Sequence, residues 1–176
     1  MLGTASALTV IFCTVAAPLG FLQSSSGDYC LTFWGFKANC RSVGYTQSIQ
    51  DLGFGCDDLR AKLRALGPLC VAAIGLAFVT LDCVAVGITY RVDKMKLPLI
   101  ATAYLTLGCL TACWALMTTI ETREVCSGLV MRDAGWAYSD AFALVVTSFC
   151  LMLCGSVFIT IMKVEFLEHG DGASKL

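Results

Sequence analysis

The chain is short of most of what soluble enzymes are built from. It has one histidine, His169, one asparagine, Asn39, and three prolines in 176 residues. Only 14% of its residues are charged, against roughly 25% in soluble domains. A single histidine leaves no Ser/His/Asp set and no histidine-rich metal site. There is no glycine-rich phosphate loop either. No catalysis, no cofactor and no metal are therefore expected. A net charge of -1 removes the electrostatic case for nucleic acid. No Lys or Arg precedes Lys37, whereas a cleaved signal peptide would want a positive start, so the first apolar segment is expected to be retained. Asn39 is followed by Cys40 and Arg41, so there is no N-x-[ST] acceptor.

What the chain has in quantity is apolar surface. It is 57% hydrophobic with a mean hydropathy of +0.77, more than one aqueous core can hide, and reads as a polytopic membrane protein. The expected fold class is membrane α-helical, a bundle of four transmembrane helices. The expected organisation is a first span at 1–22, a large loop at 23–66, a second span at 67–90, a connection at 91–96, a third span at 97–120, a second loop at 121–140, a fourth span at 141–162 and a tail at 163–176. Pro18 and Pro98 fall near span ends, where a proline is tolerated. Within the large loop, Leu59, Leu63 and Leu66 recur at helical spacing among Arg60, Lys62 and Arg64. They predict a short amphipathic helix, either lying on the membrane surface or extending the second span. Trp136 and Tyr138 suit an interfacial aromatic belt.

Four cysteines, Cys30, Cys40, Cys56 and Cys126, lie in the polar loops, and the other seven lie in apolar segments. Four allow three pairings. Cys30–Cys40 is the expected bridge, against two free thiols, with Cys56–Cys126 as a second expectation. Lys and Arg counts do not decide the orientation. The cysteines do: cysteine-bearing loops suit an oxidising side. That places loops 23–66 and 121–140 outside and both termini in the cytosol.

Two places stand out. Asp82 is the one acid in the second span, where insertion costs about 2.5–3.5 kcal/mol at a helix centre. It is read either as a proton or cation site facing the bundle interior or as a buried carboxyl bonded to Thr80, Thr102 or Thr106. The other is Cys30-Leu31-Thr32-Phe33-Trp34-Gly35-Phe36-Lys37-Ala38-Asn39-Cys40. Its alternation up to Trp34 predicts a strand, and Gly35 predicts a turn or bulge.

Cys30, Thr32, Trp34, Gly35, Lys37, Asn39 and Cys40 resemble the signature of the amastins, small tetraspan surface proteins of kinetoplastid parasites. The layout of the remaining chain resembles that family almost end to end. Amastins are in turn similar to the claudin superfamily, which carries a Trp-Gly and a cysteine pair in its first outer loop. The resemblance implies a small disulfide-bridged extracellular sheet on the bundle, with Trp34 in its core. It implies cytosolic termini, a plasma-membrane location and action at the host–parasite interface. The expected partners are membrane lipids, further copies in a lateral assembly, and an opposed host membrane. Phe33, Trp34 and Phe36 are expected to shape the outer face. A second class of function, a channel, transporter or auxiliary subunit for protons, ions or lipids, would rest on Asp82.

Overall fold

The computed structural model describes residues 1–42, 44–48, 57–90, 96–125 and 128–173; the side chains at 90, 96, 125, 129 and 162–173 lie outside that description, as do Cys56, Cys126 and the connection 91–95. The Cys56–Cys126 expectation therefore falls outside the described residues.

The first helix, α1, runs Leu2–Ala16. It stops short of the expected residue 22 because Pro18 has no N–H for the Thr14 carbonyl. The ladder ends with Ala17 N–H on Cys13 O and Leu19 N–H on Ala16 O. The chain then enters strand β1, Gly20–Ser24, and buries Phe21 and Leu22 completely. At 15 residues, α1 is about 22 Å long, below the roughly 30 Å of a bilayer core.

Strands β2 (Cys30–Thr32), β3 (Gly35–Lys37) and β4 (Gln47–Ser48) follow. Helix α2 is continuous over Asp57–Tyr90, with Asp57 and Asp58 in its first turn. Leu59, Leu63 and Leu66 are buried in one cluster with Phe21, Leu22, Leu31 and Phe33. The amphipathic stretch is thus the start of α2, extending the second span, with the sheet packed on its apolar face. Burying each leucine contributes about 1.5–3 kcal/mol, more than head-group contact would offer.

Helix α3 is Lys96–Thr122. Short strands β5 (Glu124–Val125) and β6 (Leu129–Val130) form a hairpin, β7 is Trp136–Tyr138, and α4 is Asp140–Ala173. Among the described residues, three helical segments, Asp57–Thr89, Leu97–Thr122 and Asp140–Ile161, are long and apolar enough to cross a membrane. The helices pack in ring order, α1 on α2, α2 on α3, α3 on α4 and α4 on α1. Their shared interior is lined by small and hydroxyl side chains, among them Ser6, Thr9, Ala73, Ala77, Thr80, Ala103, Thr106 and Ser148. Small residues let helices approach closely where lipid supplies no hydrophobic drive.

The sheet sits where α1 and α3 end and α2 and α4 begin. It is antiparallel, in the order β4-β3-β2-β1-β7. Strand β7 pairs with β1 through Leu22 with Tyr138 and Ser24 with Trp136. One sheet therefore joins both long inter-helix segments. Trp136 and Tyr138, expected as a membrane belt, are half-buried strand residues, and Tyr138 stacks on Phe142 at 4.0 Å between ring centroids. Below β7, the buried Glu121 carboxylate accepts from Arg132, Oε1 from Nε at 3.1 Å and Oε2 from Nη2 at 3.4 Å. Burial, with Glu121 nearby, holds the Tyr138 phenol above its ordinary range.

Candidate contact surface

Cys30 and Cys40 are joined, with Cα atoms 5.3 Å apart. The bridge ties β2 to the segment after β3. Between them the chain turns at Phe33–Trp34, immediately before the expected Gly35. Thr32 makes that turn: its Oγ1 accepts from Trp34 N (3.2 Å) and Gly35 N (3.1 Å) and donates to the Gly35 carbonyl (2.8 Å). A hydroxyl bonding its own backbone two and three residues on is ordinary turn chemistry. Gly35 opens β3 instead of making the turn. It is required for close approach, since a Cβ there would lie 2.4 Å from the Gln47 carbonyl oxygen of β4.

The turn separates the two aromatics. Phe33 is fully buried against Phe21, with centroids 5.7 Å apart. Trp34 is 41% exposed. The expectation that Trp34 lies in the sheet core is not met, because the turn sends it outward across α2, over Gly67. Phe36 is half-buried and stacks on Tyr29 at 5.8 Å. Asn39 accepts Arg41 N–H at 3.0 Å in a tight turn. It shares with the bridge a polar cavity of about 630 Å³ lined also by Gln23, Asp28, Arg41 and Asp140.

Lys37 has a part that spacing did not reveal. It is 5% exposed, and its Nζ donates to the Pro18 carbonyl at 3.0 Å, 4.9 Å from the Tyr45 ring centroid. The ammonium thus sits at the C-terminal end of α1, where carbonyls lack helical donors and positive charge is favoured. Lys37→Met should lower stability by about 1.5–3 kcal/mol, the usual worth of a hydrogen bond to a charged group. Thermal unfolding in detergent would read this, and an unchanged midpoint would refute the capping role.

Asp82 is exposed on the flank of α2 and has no hydrogen-bond or ion-pair partner among the described residues. The interior reading fails because α2 buries Leu66, Cys70, Ala73, Ala77 and Thr80, and two residues past Thr80 is about 200° around a helix. The threonines offered as its partners are occupied locally, Thr80 on Leu76 O, Thr102 on Leu99 O and Thr106 on Thr102 O. Among the described residues no three His, Cys, Asp or Glu side chains could together hold a metal ion.

These features define a small membrane protein whose apolar helices carry a disulfide-closed antiparallel sheet at one end. The chain belongs to the amastin family: the family model described as amastin surface glycoprotein matches residues 7–159. No curated protein sequence matches the chain.

Proposed function

We propose that the chain is a four-span surface protein of the plasma membrane that acts by contact at the host–parasite interface, without catalysis. In this reading α1 crosses with the other three helices. It buries Leu2, Ala5, Ser6, Thr9, Cys13 and Ala16 along one face and turns apolar Leu8, Ile11 and Val15 outward, as a lipid-facing helix would. The sheet then lies outside, where its bridge persists, and both termini lie in the cytosol. Lateral assembly of copies and an opposed host membrane are the partners this arrangement suits.

The observation that carries the reading is exposed aromatic area on a closed sheet. Tyr29 is 46% and Tyr45 43% exposed, on a scaffold held by the Cys30–Cys40 bridge. Rigid aromatics lose little side-chain freedom on contact and are enriched at interfaces. The test is adhesion of cells displaying the chain to host-cell membranes. Tyr29→Ser with Tyr45→Ser should cut adhesion severalfold at equal surface display. Unchanged adhesion at equal display would refute the contact role.

A further inference from the structure

A groove of about 360 Å³ opens between the sheet and α2, lined by Phe33, Trp34, Ser48, Leu63, Arg64, Gly67 and Pro68. Three features of it belong together. First, its walls are the exposed Trp34 and Pro68, and its floor is the buried Phe33 and Leu63. Gly67 keeps it shaped, since a Cβ there would lie 3.2 Å from Trp34 Cζ3. Second, it holds an unpaired cation. Arg60 bonds Asp57 and Lys62 bonds Asp58, whereas Arg64 is exposed with no partner among the described residues. Third, its level is set by the sequence of α2. Arg64 is the last charged residue before the uncharged run from Ala65 to Leu81. One turn beyond Pro68, Val71 is 53% exposed on the flank of the bundle. The groove therefore lies at the rim where the apolar part of α2 begins.

An apolar slot, an indole at its mouth and a free guanidinium at the boundary of an apolar span match one occupant. We infer that this groove binds a membrane phospholipid. Arg64 takes the phosphate, for which its planar donor fork is suited. Trp34 and Pro68 cover the glycerol and the first methylenes, the depth at which tryptophan settles in bilayers. Bound lipid would brace the sheet against α2 and fill the slot the chain leaves open. The site does not depend on the contact role of Tyr29 and Tyr45.

The test is native mass spectrometry of the full chain released from detergent micelles doped with phosphatidylglycerol, with diacylglycerol as the phosphate-free comparison. One phospholipid should stay bound, at least about fivefold more than diacylglycerol, a ratio that one charge-assisted contact supplies. Arg64→Gln should remove that preference. Arg123→Gln, a change at an exposed arginine elsewhere, should keep it. In the intact chain, tryptophan quenching by phospholipid brominated near the glycerol should fall in Trp34→Phe. Equal retention of both lipids, equal loss in the Arg64 and Arg123 variants, or quenching unaltered in Trp34→Phe would each overturn the site. Preferential capture of glycerol phosphate or a phosphoserine peptide from solution would also overturn it, by assigning the cation to a soluble partner.

Discussion

Replacing Phe33 with alanine should lower the unfolding free energy by about 3–5 kcal/mol, whereas the same truncation at Trp34 should cost about 1 kcal/mol or less. The two residues are adjacent and both aromatic, and composition alone ranks the tryptophan higher. Burial reverses that order. Phe33 is fully buried in one cluster with Phe21, Leu22, Leu31, Leu59, Leu63 and Leu66, so its removal leaves a cavity between sheet and helix. Trp34 touches α2 on one side only, so its truncation leaves a groove open to solvent or lipid. Denaturant or thermal unfolding of the two variants in the same detergent checks the ranking. Equal losses would mean that the turn at Thr32 does not divide core from surface.

The second large effect is expected from the bridge. Cys30→Ser with Cys40→Ser, or full reduction, should destabilise the sheet by about 3 kcal/mol through the entropy regained by the opened loop. The loss should concentrate at one end of the molecule. Hydrogen exchange should rise in β1 to β4, with α3 and the apolar part of α4 unchanged. The reason is topological: the bridge closes a segment that is otherwise held by three-residue strands, and the bundle does not depend on it for its helix contacts. Uniform loss of protection through the helices would refute this division. Unchanged protection in the sheet would show that strand pairing and the cluster on α2 suffice without the bridge.

These results also bear on how the signature is built. Thr32 makes the turn, Gly35 admits β4, Lys37 caps α1 and the cysteines close the segment, so its residues serve the junction of sheet and bundle. The proposed contact role falls to the aromatics that this framework holds outward. Arg64, on a different element, joins them only in space.

Much of the architecture follows from local sequence. Apolar runs long enough to span, broken by polar segments, require helices in lipid, since no other open structure satisfies its backbone there. The spacing of Leu59, Leu63 and Leu66 marked a helix, and Cys30 and Cys40 marked a closed segment. What lay beyond local reading depended on partners remote in the chain. Phe21 and Leu22 look like the end of an apolar span until β7, more than a hundred residues later, supplies the pairing edge. The leucines of α2 look like a membrane-surface face until the sheet covers them. Whether Phe33 or Trp34 is buried depended on which of them meets the leucines of α2, and the side of α2 on which Asp82 falls depended on which face the other helices cover. The sequence by itself determined which segments are apolar, helical or bridged, because those properties are set by composition and spacing within a few turns. Only the tertiary structure decided which faces are buried, because burial is a property of two surfaces and the second lies elsewhere in the chain.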